Sequence, residues 1–169
     1  TTGNENTSIG RNSLLVNTTG GFNTAVGAEA LDANTTAANN CALGWRALHN
    51  NTTGTQNVGI GSSVLGQNTT ANNNTAVGHF ALNANTTGIG NVAVGAYTLD
   101  ANTTANYNTA LGYGALSTNT TATGSVGVGY YALVSNTTGA NNTAVGYEAL
   151  EQNTTGVENT AVGIQALDS

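Results

Sequence analysis

The sequence predicts an all-β protein, a parallel β-solenoid of ten 17-residue coils, and three observations carry that prediction. The first is a repeat without slippage. Asn-Thr-Ser-Ile-Gly begins at Asn6, Asn-Thr-Ala-Val-Gly at Asn23, and variants of the same pentapeptide follow at 40, 57, 74, 91, 108, 125, 142 and 159. Stacked coils lose their ladder hydrogen bonds and side-chain columns when one coil gains a residue, whereas a flexible linker has no reason to keep count. The second observation is composition. Asn (27), Thr (30), Ala (25) and Gly (23) fill 105 of 169 positions, Pro and Met are absent, and charged residues make up 6% where an ordinary domain has about 25%. Such a chain cannot fill one large central core, yet it lacks the high charge and Pro content of disordered segments. The third is local preference: Asn, Thr and Gly are weak helix formers, and the two large aliphatic positions of the repeat stand five residues apart, which fits no helical face.

Numbering the columns of the repeat from Asn6 justifies each element in turn. The consensus is N-T-A-V-G-x-x-A-L-x-x-N-T-T-[GA]-x-x. Columns 2 to 4 read as a strand. Column 4 is always branched aliphatic (Ile9, Val26, Leu43 and onward to Val162), and column 2 alternates among Thr, Val and Cys, residues alike in size. Both are expected to face the interior. Column 5 is Gly in every copy, Gly10 to Gly163, and is expected to be a corner at positive φ. Column 8 is small, and column 9 is always Leu, from Leu14 to Leu167, so columns 4 and 9 are the predicted core. Columns 12 to 14 are Asn-Thr-Thr, suited to hydrogen-bonded ladders from coil to coil. The variable columns 6, 7, 10, 11, 16 and 17 hold all ten charged residues and are assigned to solvent. Two corners and two or three short strands per coil follow. The whole of 1–169 is one repeat domain, with nine full repeats at 6–158 and partial repeats at 1–5 and 159–169. With no capping unit at either end, it is expected to be a section of a longer fibre. One Val and one Leu per coil make a thin interior, so burying the Ala and Gly columns 3 and 8 between copies around a common axis is expected to give a homotrimer.

The N-T-A-[VIL]-G-x-x-A-L-x-x-N-T-T-G repeat, clearest at 23, 74, 142 and 159, resembles the repeats of tail-fibre-like and adhesin-like proteins of phages and bacteria. It is also similar to the shorter N-S-x-A-[IV]-G-x-x-A repeat of trimeric autotransporter adhesin heads, with the extra residues lying around Asn-Thr-Thr. The resemblance implies a left-handed parallel β-roll interlocked as a trimer, projecting from a virion or cell surface as a structural or adhesive fibre.

Charge and pattern exclude several functions. A net charge of −6 and pI near 4.3 give no basic footprint for nucleic acid. No apolar run approaches the ~20 residues of a bilayer-spanning helix, so no membrane insertion is expected. One cysteine, Cys41, leaves no intrachain disulfide and no metal-ligand spacing. His49 and His79 share neither column nor adjacent coil and are expected to be exposed; Asp32, Asp100, Glu151 and Asp168 share column 10 as surface charge. No catalytic constellation, metal or cofactor is expected, and no enzyme activity. The candidate binding feature is aromatic: Trp45, Tyr113, Tyr130 and Tyr147 in column 6 with Phe80, Tyr97 and Tyr131 in column 7, a stripe beside the glycine corner. Such a row can bind a host-surface glycan or receptor, or can cover the corner or a subunit boundary. The Asn-Thr-Thr columns are formally sequons at Asn17, Asn34, Asn51, Asn68, Asn85, Asn102, Asn119, Asn136 and Asn153. The alternatives to an extracellular fibre are therefore a glycosylated filament subunit and an ice-binding solenoid that uses the Asn-Thr-Thr ladder.

Overall fold

In the computed structural model, residues 2–168 are described. Each coil contributes one three-residue strand, columns 2 to 4, from β1 (Thr7–Ile9) to β10 (Thr160–Val162). The ten strands form a single parallel sheet in sequence order. Each strand pairs with the next at the residue 17 positions on, as in Thr75↔Val92, Ala76↔Ala93 and Val77↔Val94. The fold is thus an all-β parallel solenoid, with no helix among the described residues.

Hydrogen bonds between coils continue around the circumference beyond the sheet, which is why no repeat has gained or lost a residue. Gly78 N donates to Ile60 O (2.8 Å), Leu82 N to Thr98 O (2.9 Å) and Thr86 N to Thr103 O (2.9 Å). An extra residue in one coil would break all such bonds to both neighbours.

The expected second and third strands do not form. Columns 6 to 11 run as consecutive turns, because columns 7 and 9, like column 17 before the next strand, sit in left-handed backbone that a strand cannot contain. Column 7 is represented by Phe80 (φ 56°) and Tyr97 (57°), column 9 by Leu82 (53°) and Leu99 (49°), and column 17 by Asn73 (61°) and Tyr107 (59°). The glycine corner stands as expected, with φ from 125° at Gly112 to 142° at Gly146.

The interior differs from the sequence expectation in which side of the strand faces inward. Column 3 is buried, with Ala25, Ala42, Ala76, Ala93, Ala110 and Ala144 at 0% exposure, while columns 2 and 4 on either side point outward. Leu43 (44% exposed) and Leu111 (37%) stand on the outer face even in the middle of the stack. Column 9 is core as expected, Leu31 to Leu133 being fully buried, and it packs on the small residues of columns 3 and 8. Columns 3 and 8 therefore fill the coil itself and are not available to pack between copies. The cause is volume. A coil that already holds one inward Leu has room across from it for alanine, and the branched side chains take the two outward positions that a three-residue strand leaves.

Two asparagine columns complete the interior. In column 12, Asn85 Nδ2 donates to Asn68 Oδ1 (3.1 Å) and to Gly88 O (2.9 Å), and Asn102 Nδ2 repeats the pattern onto Asn85 Oδ1 (3.0 Å). In column 1, Asn74 Oδ1 accepts from Asn91 N (2.9 Å), while Asn74 Nδ2 donates to Gly88 O (2.9 Å). Both ladders meet at the column 15 carbonyl, supplied by Gly or Ala in every coil, so a polar interior is fully paired.

Candidate functional site

Three surface features arise from this architecture. The first is the outer face of the sheet. Thr24 and Val26, Cys41 and Leu43, Val58 and Ile60, and their successors stand two abreast on ten consecutive strands. Nine steps at about 4.8 Å make a strip roughly 43 Å long, without a charged residue in either column. Cys41 lies on this strip, half-buried, and is not enclosed in the core as expected.

The second feature is the aromatic row. Phe80 and Tyr97 stack at 6.0 Å and 10°, Tyr97 meets Tyr113 edge-on at 5.8 Å, Tyr113 stacks on Tyr130 at 5.8 Å, and Tyr130 on Tyr147 at 5.2 Å. Tyr131 packs against both Tyr113 (5.6 Å) and Tyr130 (4.3 Å). Six of the seven sequence-picked rings therefore form one continuous array, and Trp45 stands apart from it. The spacing follows from the coil step: column 6 rings on adjacent coils must lie about 5 Å apart, the distance at which offset stacking is favourable. His79 also belongs to the array, edge-on to Phe80 (4.5 Å) and Tyr97 (5.5 Å). Its place in column 6, shared with the tyrosines, is the signal that marks it. The Tyr147 phenol is pushed above its usual range by its hydrogen bond to Glu148 and by partial desolvation. Partial desolvation and the neighbouring Tyr130 do the same to Tyr131.

The third feature was not anticipated. Arg11 and Arg46, the chain's only basic residues apart from histidine, both reach Glu29, Arg46 through Nε at 3.4 Å. Arg46 Nη2 lies 2.7 Å from His49 Nε2, and His49 Nδ1 lies 2.6 Å from Asp32 Oδ1, off the line of a good hydrogen bond. Arginine can only donate, so Nε2 is the acceptor in the Arg46 contact. His49 is accordingly half-buried and partnered, which corrects the expectation of an exposed ring. The sequence signal was the period itself, since Asp32 and His49, like Glu29 and Arg46, are 17 residues apart.

The Asn-Thr-Thr segments are placed differently from either use suggested for them. The amides of Asn34, Asn51, Asn68, Asn85, Asn102, Asn119 and Asn136 are fully buried, and each Nδ2 donates along its ladder and to the column 15 carbonyl. An oligosaccharide would have to be attached there before folding; Asn17 and Asn153 are part-buried. The first threonine is tied down, as Thr35 Oγ1 donates to Thr52 O (3.2 Å) and Thr86 Oγ1 to Thr103 O (3.1 Å), and between the terminal coils only the second is exposed. Among the described residues no group of three or more His, Cys, Asp or Glu side chains could hold a metal ion. The features together define a repeat β-solenoid with internal asparagine ladders and a one-sided, uncharged strip of threonine and aliphatic side chains. No family model, curated protein or solved structure matches the chain.

Proposed function

We propose that the chain is a structural and adhesive segment of an extracellular or virion surface fibre, non-catalytic, whose copies associate, as a homotrimer, along the outer face of the sheet. The observation that carries this reading is that strip. The coil interior is already filled by its own Ala, Leu and Asn columns, and the largest β-branched and aliphatic side chains of each strand are left outside on every coil. An uncharged row of this length, aliphatic at every column 4 position and Thr, Val or Cys at column 2, calls for a covering surface. A second copy meets it in matching steps, because both present the same ~4.8 Å repeat. The resemblance to trimeric adhesin heads supports three copies, and the contact is the column 2 and 4 strip in place of columns 3 and 8.

Sedimentation velocity tests the reading. Three 16.8 kDa chains sediment at about 50 kDa, and Val77→Lys with Val94→Lys, which place charges on the strip without touching the interior, release monomers whose circular dichroism is unchanged. A native chain that stays at 16.8 kDa at tens of micromolar overturns it. A second reading rests on the same face. In six coils Thr in column 2 and an aliphatic residue in column 4 point outward together with one inward residue between them, an arrangement suited to ordering water as ice. Thermal hysteresis by a monomeric chain, lost in Thr75→Lys, would favour it over the fibre.

A further inference from the structure

The aromatic row is interrupted at one coil, and the interruption makes a groove. Coil 4, residues 57–73, carries Ser62 and Ser63 in columns 6 and 7 and Gly66 in column 10. Its neighbours carry Trp45, Arg46 and His49 on one side and His79, Phe80 and Asn83 on the other. The missing side chains leave a cavity of about 220 Å³, lined by Trp45, Arg46, His49, Ser63, Gly66, Gln67, Phe80 and Asn83. The backbones of Trp45, in column 6, and Phe80, in column 7, are two coil steps apart, roughly 9.6 Å along the axis. Tyr97 covers Phe80 from the coil 6 side, and on the coil 4 side columns 6 and 7 hold nothing larger than serine.

We infer that this groove binds a single pyranose ring between Trp45 and Phe80. The aromatic ends select the class of ligand, because a saturated ring offers C–H faces to Trp45 and Phe80 and hydroxyls to the amides between them. Volume agrees: 220 Å³ is below the roughly 300 Å³ at which drug-sized pockets begin. The polar lining also agrees, because a sugar hydroxyl both donates and accepts. Gln67 Oε1 is held by Asn50 Nδ2 (2.9 Å), which leaves the Gln67 amide nitrogen to donate. Asn83 Nδ2 is held by Ser63 O (2.6 Å), which leaves Oδ1 to accept. Arg46, fixed by Glu29 and His49, keeps guanidinium donors at the Trp45 end, 5.5 Å from that ring's centroid. Gly66 is needed for this arrangement, since a Cβ there would come within 2.6 Å of Asn83 Nδ2. The Arg11–Glu29–Arg46–His49–Asp32 network thereby acquires a purpose, holding one wall of the groove.

The inference rests on the adhesive half of the proposed function and is independent of self-association. Trp45 is the chain's sole tryptophan, so its fluorescence reports the groove directly. The experiment titrates the intact chain with methyl glycosides of glucose, galactose, mannose and N-acetylglucosamine, with indole and adenosine as planar controls, and measures mass on the same samples. At least one glycoside is expected to shift Trp45 emission with a Kd near the millimolar range. Ser62→Tyr, which adds the ring that Tyr113, Tyr130 and Tyr147 already place in that column, is expected to weaken binding at least tenfold with circular dichroism unchanged. No response to any glycoside, a response to the planar compounds alone, or equal binding by Ser62→Tyr overturns the inference. The fibre reading fails separately, by the mass.

Discussion

Replacing Gly78 by alanine tests the stacking geometry directly, and Gly54→Ala supplies its control within the same chain. A Cβ built on either residue comes within 3.0 Å of backbone in the next coil, at the Gly95 carbonyl for Gly78 and the Ala71 carbonyl for Gly54. The two differ in backbone. Gly78 has φ +137°, a region essentially closed to L-residues at a cost of about 1–3 kcal/mol, to which the contact adds about 1–3 kcal/mol of overpacking. Gly54 has no positive φ, and its column already holds Ala37, Ala71, Ala105 and Ala122, all buried. Gly78→Ala should therefore cost about 4 kcal/mol, lowering the unfolding midpoint by roughly 8–16 °C for a chain of this size. Gly54→Ala should cost about 1 kcal/mol or less, its overpacking offset by the reduced freedom of the unfolded chain. Thermal and urea unfolding followed by circular dichroism measure both, and hydrogen exchange at coils 4 to 6 localises the loss. If the two variants fall within 1 kcal/mol of each other, the corner is not what requires glycine and the reasoning fails.

Three further outcomes follow from the interior and its turns. Asn85→Asp keeps the shape of the ladder residue but turns an acceptor toward Asn68 Oδ1 and Gly88 O. It should cost about 3 kcal/mol at neutral pH. Because the folded state holds the new carboxyl protonated, stability should rise as pH is lowered; denaturant midpoints between pH 3 and 8 check the sign. Leu99→Ile conserves volume but places a β-branched residue at φ 49°, and urea titration should show a loss of about 2 kcal/mol. Burial raises the Asp100 carboxyl above its ordinary value, only partly offset by its own backbone amide and that of Ala101. The folded state therefore binds that proton more tightly, and native stability falls as pH rises through the raised value. Asp100→Asn should raise stability slightly near pH 7, by under about 1 kcal/mol after solvent screening, seen as a higher melting midpoint, and have no effect below pH 3.

How far the candidate sites were legible depends on the kind of relation involved. The aromatic row could be read by column, since residues 17 apart or in neighbouring columns on adjacent coils must touch once coils stack. Six of the seven rings obey that rule, and His79 obeys it too. The Asp32–His49 and Glu29–Arg46 contacts follow from the same 17-residue step. The groove at coil 4 was not legible, because it is made by what three positions lack, and a missing side chain becomes a cavity only when large neighbours stand on both sides of it.

The sequence by itself determined the period, the in-register parallel stack, the glycine corner, the leucine column of the core and the asparagine ladder of column 12. Each depends on one residue type recurring at one place, and ten recurrences leave no other register. Only the tertiary structure decided which way the strand faces. In a three-residue strand columns 2 and 4 share one side and column 3 the other, and hydropathy alone assigns the valines to the core. The closed coil reverses this, because opposite a leucine there is space for alanine and not for valine. The same packing that fills each coil with its smallest apolar residue leaves its branched ones outside, on the face where a partner is proposed.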